Sequence, residues 1–269
     1  MTSKSLMDAE SLKSIFDDAS EGDAALISQQ TKDLMCVSLT DNVMLGANGT
    51  DVDDIEAEMV TLVTVVLDDS GSMDARAADA RAGQKFMLEA FAKSEEKDSI
   101  KIAQWFIYEP NPLHSYVDVS DAIALDTNNY RADGWDTPLY DRWMDALMAN
   151  VAYAQKLRSS GTPVRSIVVV ITDGGDNSSK RTTAAQCKQV AEDLIASEQF
   201  VLAFVGVKSS GYDFKKIACD MGFPDRAVKD VKDGPSVLRE VFRLVSEKSL
   251  RASQTSVAPS QAANNFFNL

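Results

Sequence analysis

The sequence predicts a doubly wound α/β domain, a mostly parallel central sheet flanked by helices with one antiparallel edge strand. From Thr61 onward, short apolar runs rich in β-branched residues alternate with longer segments of helical period, as when helices cross over a parallel sheet. The runs over 61–68 and 166–172 lack polar alternation, which is how strands buried on both faces read. A further run, 113–119, follows its predecessor across the link Glu-Pro-Asn-Pro, a turn signal that makes it an edge hairpin partner.

Taken in order, residues 9–16 have the spacing of a helix, 34–39 read as either helix or strand, and 41–58 as a loop. The strand over 61–68 leads into a helix over 75–93, with Phe86, Leu88, Ala90 and Phe91 supplying apolar positions near its end. The next strand spans 99–108, with 113–119 beside it. Pro138 fits a first helical turn, where its missing N–H costs nothing, so Thr137 is the expected cap of a helix over 139–157. Gly161 and Pro163 punctuate its end. The strand over 166–172 is the clearest central one, followed by a helix over 182–197, a strand over 200–207, a short helix over 212–221 and a last strand over 227–231. Val237, Leu238, Val241, Phe242 and Val245 recur at helical spacing, so 236–248 closes the unit as an amphipathic helix. From Ser249 the chain is rich in Ser, Ala, Gln and Asn, a composition that predicts disorder up to the apolar end Phe266-Phe267-Asn268-Leu269.

A length of 269 residues fits one sizeable domain with extensions: an acidic N-terminal extension over 1–58, the α/β domain over 59–250 and the tail over 251–269. Net charge is -14, and residues 1–60 hold thirteen acidic side chains against only Lys4, Lys13 and Lys32. The rest of the chain is therefore only mildly acidic, and the acidic run reads as solvated surface. No basic footprint for phosphate neutralisation exists, which argues against nucleic acid and anionic membrane as partners. Cys36, Cys187 and Cys219 are odd in number and widely spaced, so no disulfide framework is implied. No stretch resembles a signal sequence or a membrane span, and a cytoplasmic location is the expectation.

Three polar loops follow from this pattern at the carboxyl ends of strands, where open α/β sheets bind ligands. Asp68-Asp69-Ser70-Gly71-Ser72 leaves the first strand, Gly134-Trp135-Asp136-Thr137-Pro138-Leu139 opens a helix, and Thr172-Asp173-Gly174-Gly175-Asp176 leaves the central strand. They offer hydroxyl and carboxylate oxygens without sulfur or imidazole, a set suited to Mg²⁺, Mn²⁺ or Ca²⁺. Asp69 and Asp176 read as nearby solvated carboxylates.

Asp68-x-Ser70-x-Ser72, preceded by an apolar strand and followed by Met73, resembles the first element of the metal-ion-dependent adhesion site of the von Willebrand factor type A family. Thr137 in Thr-Pro-Leu resembles its second element and Asp173 in Ile-Thr-Asp-Gly its third, and the likeness spans roughly 59–250. The resemblance implies a Rossmann-like fold and a non-catalytic module. In it Ser70, Ser72 and Thr137 bind a divalent metal directly, while Asp68 and Asp173 act through water or by orienting the hydroxyls. The open coordination position would take an Asp or Glu from a protein partner, or from this chain's own termini or another copy. Intracellular members of the family act beside AAA+ ATPases, chelatases, or kinase and phosphatase partners, so an adaptor role is implied. The final helix resembles the element that shifts in members switching affinity, although a static cover for the sheet is the simpler reading. Trp135 and Asp136 stand where small residues often precede the threonine, and Gly175 replaces a common polar residue.

Two alternatives compete. A haloacid-dehalogenase-like phosphotransferase also opens with an Asp at the end of its first strand, but the general acid expected two residues on is here Ser70. A metal that only stabilises the fold is the other. A Ser-His-Asp triad is disfavoured because the single histidine, His114, falls on the edge hairpin.

Overall fold

Val60–Leu67 (β1) and Val164–Thr172 (β4) lie side by side at the centre of a six-stranded sheet, and every residue of β1 is buried. Ile100–Phe106 (β2), His114–Asp118 (β3), Phe200–Lys208 (β5) and Val228–Lys232 (β6) complete it in the order β3-β2-β1-β4-β5-β6. All neighbouring strands are parallel except β2 and β3, which run antiparallel with a register shift between Ile102 and Gln104. The predicted α/β class and the antiparallel edge are both present. The computed structural model describes residues 7–208, 211–232, 234, 236–254 and 266–268.

Helices cover both faces. On one lie Ala77–Ala92 (α4) and Val237–Gln254 (α8), which pack on each other and bury Phe91, Leu238, Phe242 and Val245. On the other lie Leu139–Ser159 (α5), Ala184–Ala196 (α6) and Phe214–Asp220 (α7), burying Trp143, Leu147, Val190 and Phe214. Each large apolar side chain so removed from water contributes roughly 1.5–3 kcal/mol, which is why the β-branched runs end up between helices. Because β2 lies to one side of β1 and β4 to the other, successive crossovers leave β1 in opposite directions. That reversal makes the carboxyl ends of β1 and β4 a switch point, the place where open α/β sheets bind ligands.

A neutral polar network crosses the α5 side of this core. Tyr116 Oη and Thr64 Oγ1 are 2.6 Å apart, Asn150 Nδ2 donates to Thr64 Oγ1 at 3.0 Å, and Ser166 Oγ donates to Asn150 Oδ1 at 2.6 Å. Tyr116 also stacks on Tyr153 with ring centroids 4.8 Å apart.

The N-terminal residues differ from expectation in detail. Ala9–Ala19 (α1) forms as predicted; the ambiguous stretch is helical within Gln29–Val37 (α2); and the expected loop contains a helix, Asp41–Gly46 (α3). Side-chain caps from Ser28 and Thr40, each accepting a backbone N–H three residues on, start α2 and α3. Leu12, Phe16, Met35 and Val43 are buried, with α1 and α3 against α5 and α2 against α6, while Glu10, Asp17 and Asp18 face water. A Cβ on Gly46 would stand 2.1 Å from the Trp105 ring, so only glycine lets α3 end there.

The C-terminal end also departs from prediction. Helix α8 continues through Gln254, with Ala252 buried and its carbonyl accepting a bond from Arg165. Phe266 is buried in one turn of 3-10 helix, Phe266–Asn268, beside α8, β5 and the turn Asp225–Ala227. Burial of these apolar side chains outweighs the polar composition that suggested disorder. The rest of that expectation, over 255–265 and at 269, lies outside the described residues.

Candidate functional site

Strand β1 ends at Asp68, whose backbone still pairs with β4 through its N–H to Ile171 O (2.8 Å). The Asp68 side chain is fully buried, and both of its oxygens are engaged. Oδ1 accepts the Ser70 N–H at 2.9 Å and Oδ2 accepts the Thr172 hydroxyl. Tyr130 Oη donates to the Asp68 carbonyl at 2.7 Å from the far side. Asp68 therefore bends the chain and fixes it. With no exposed oxygen, it is badly placed as the nucleophile of a phosphotransferase.

The chain beyond Asp68 turns through a 3-10 segment, Gly71–Arg76, that Ser70 begins without a side-chain cap. Its hydroxyl points elsewhere: Ser70 Oγ and Ser72 Oγ are 3.1 Å apart, and Ser72 Oγ donates to Asp173 Oδ1 at 2.6 Å. Asp173, at the end of β4, has a fully buried side chain and also receives Arg76 Nη1 at 2.9 Å.

Thr137 arrives on the third loop, and two reciprocal pairs hold that loop in place. Gly71 N–H donates to Gly134 O (2.8 Å) and Gly134 N–H to Asp69 O (3.1 Å), while Thr137 N–H donates to Asn177 Oδ1 (2.7 Å) and Asn177 N–H to Thr137 O (3.1 Å). A Cβ on Gly134 would meet the Tyr108 ring at 2.5 Å, and one on Gly174 would reach Thr137 Oγ1 at 4.0 Å. The three sequence-predicted loops are thus brought together at one end of the sheet.

The expected helix cap from Thr137 is not what forms. Pro138, not Thr137, occupies the cap position; Leu139 N–H donates to the Thr137 carbonyl at 2.9 Å, and the next two N–H groups of α5 are met from the β4–α6 loop, Tyr140 by Asp176 Oδ1 at 3.2 Å and Asp141 by Ser179 Oγ at 3.0 Å. Asp176 is accordingly a cap, not a solvated carboxylate. Asp69 also departs from that expectation: it is buried, with Oδ1 accepting Tyr108 N–H at 2.6 Å and Oδ2 accepting Glu109 N–H at 3.1 Å. Burial pushes its pKa up to about 6, with the Asp68 charge adding to the rise. Burial and the Asp68, Asp69 and Asp173 carboxylates together raise the Tyr130 hydroxyl well above its ordinary value.

This oxygen set fits a small hard cation. Two ligands about 2.1 Å from an octahedral ion, on adjacent corners, lie roughly 3 Å apart, close to the spacing of the Ser70 and Ser72 hydroxyls. Among the described residues no three His, Cys, Asp or Glu side chains converge on a common point, so an ion here would rely on hydroxyls backed by carboxylates. Residues that sequence reasoning did not single out are Arg76, Thr172, Tyr130 and Asn177. Arg76 follows Ser72 by four positions, one helical turn, and that spacing was the available signal. Tyr130 and Asn177 come from distant loops and left none.

No protein-family model and no curated protein matches the sequence. Among solved structures, the pilus adhesin SpaC from Lactobacillus rhamnosus GG, in its open conformation, is similar with a TM-score of 0.55 and 13% identity over 73% of this chain and 30% of that one. A second form of the adhesin gives 0.52 and 12% over 72% and 31%. This chain spans less than a third of the adhesin, and the likeness shows the α/β fold alone. The VWA domain of SpRpn10 is covered over 94% of its length at 10% identity, with a TM-score of 0.43, too low to carry an argument. Among the described residues, no helix is long and apolar enough to cross a membrane.

Proposed function

We propose that this protein is a non-catalytic interaction module that grips an acidic side chain of a protein partner through a divalent cation, Mg²⁺ by expectation and Mn²⁺ or Ca²⁺ by the same chemistry. The observation that carries the reading is the hydrogen-bond chain from Thr172 through Asp68 and Ser70 to Ser72 and Asp173, with Thr137 Oγ1 4.0 Å from where a Cβ on Gly174, the residue after Asp173, would stand. Ser70, Ser72 and Thr137 are the direct ligands. Asp68 holds the Ser70 backbone and Asp173 holds the Ser72 hydroxyl, so each carboxylate orients a neutral ligand. A cation held mainly by neutral oxygens keeps its appetite for a negatively charged ligand. That contact is short-ranged and outweighs repulsion between acidic proteins, which salt screens beyond about 8 Å.

Trp135 supports the docking role. It lies two positions before Thr137 and is 92% exposed, an arrangement that leaves a large aromatic surface beside the site. Tyr212, 45% exposed, stands over Gly175 on the other side, where a Cβ would meet its ring at 3.1 Å. The family resemblance makes an adaptor beside an AAA+ ATPase, a chelatase, or a kinase or phosphatase the first partner class to test.

The test has two arms. Partner capture from native lysate in Mg²⁺ should fail in chelator and fail for Asp68→Ala, while the chelated protein keeps its melting temperature to within a few degrees. Capture that survives chelation contradicts the clasp, and a melting transition that collapses on chelation assigns the metal a structural role instead.

A further inference from the structure

Arg76 is the last residue of the same 3-10 turn that carries Ser72. Its guanidinium bridges two parts of the candidate site, with Nη1 2.9 Å from the Ser72 carbonyl and 2.9 Å from Asp173 Oδ2. The pair is shielded from water, since the Asp173 side chain has no exposure and that of Arg76 only 11%. A protein cation thus rests on the carboxylate that holds the Ser72 hydroxyl. A divalent ion bound to Ser70 and Ser72 would share the Asp173 carboxylate with that guanidinium, and like charges on one buried carboxylate repel where solvent screening is weak.

We propose that Arg76 is a resident counter-cation that a divalent ion must move off Asp173. It keeps the turn and β4 joined when metal is scarce, and it sets the metal concentration at which the site fills. The inference rests on the metal-binding reading above and adds to it a residue that makes the site deliberately weak. Without Arg76, two buried carboxylates, Asp68 and Asp173, would draw in a cation with less competition. An Arg that was simply structural would behave in the opposite way, because its loss would loosen the turn and weaken every ligand.

Mn²⁺ titration of the full chain by calorimetry, for wild type, Arg76→Gln and Arg76→Lys, separates these outcomes. Arg76→Gln should bind Mn²⁺ at least about tenfold more tightly than wild type, while Arg76→Lys, which keeps the charge, stays near wild type. In chelator Arg76→Gln should melt below wild type, and saturating Mn²⁺ should close that gap. Wild type that binds Mn²⁺ while a folded Arg76→Gln binds it equally or more weakly overturns the proposal and leaves the metal reading standing. If neither protein binds Mn²⁺, both fall. Should Arg76→Gln not fold, the wild-type Arg76 Nε–H resonance decides: Mg²⁺ should shift it and speed its exchange with water, and an unchanged resonance at saturating Mg²⁺ overturns the idea.

Discussion

Two buried polar networks in this molecule use similar side chains to different ends. The network of Thr64, Tyr116, Asn150 and Ser166 is neutral: one bond joins β1 to β3, and two tie β1 and β4 to α5 through Asn150. The network of Asp68, Ser70, Ser72, Asp173 and Arg76 uses the same kinds of hydroxyl but includes two buried carboxylates and one guanidinium, with Asp69 buried alongside. A neutral, satisfied network can rest where it is. One that holds buried carboxylates carries a desolvation cost that its partners must offset, and that contrast marks it as the candidate site.

The largest expected effect breaks the charged network. Asp68→Ala removes the acceptor of both the Ser70 N–H and the Thr172 hydroxyl, and should weaken Mn²⁺ binding by about 10- to 100-fold in a calorimetric titration. Asn150→Ala strikes the neutral network, leaving Thr64 and Ser166 short of a partner, and should cost about 1–3 kcal/mol in chemical denaturation. Its Mn²⁺ affinity should stay at the wild-type value, and a parallel loss of affinity would mean that the two networks are one unit.

Smaller effects sharpen the same contrast. Trp135→Ala should leave stability within about 0.5 kcal/mol of wild type, because the side chain is almost wholly in solvent. Partner affinity should nonetheless fall about tenfold or more by surface plasmon resonance. The smallest concerns His114, on the edge strand β3, whose pKa burial lowers from 6.5. A depressed histidine pKa means that the unfolded chain takes the proton first. His114 thus contributes stability that is present above pH 6.5 and is lost as pH falls toward its folded-state value. Asp69 acts with the opposite sign: with a pKa raised from 3.8 to about 6, its contribution is lost as pH rises between those values. NMR of the His114 ring isolates the histidine, and a midpoint at or above 6.5 would contradict the burial argument.

The fold was legible because β1 and β4 are rich in apolar, β-branched residues without polar alternation, the pattern of strands buried on both faces. The three site loops were legible because their positions follow from the ends of those strands. What escaped notice depended on contacts between residues far apart in sequence. Asp176 looked like an exposed acid until α5 was placed beside it, and Phe266 looked like the end of a polar tail until α8 offered it cover. Helix α3 was missed because its six residues are too few to show a period, and its start depends on the Thr40 cap.

The most direct test of the account is an electron paramagnetic resonance titration of the full chain with Mn²⁺, repeated with Thr137→Ala. Wild type should show one site per chain with oxygen ligands, displaced by excess Mg²⁺ and severely weakened by loss of the Thr137 hydroxyl. Mn²⁺ that stays free in the presence of wild-type protein, or that binds Thr137→Ala just as well, would contradict it.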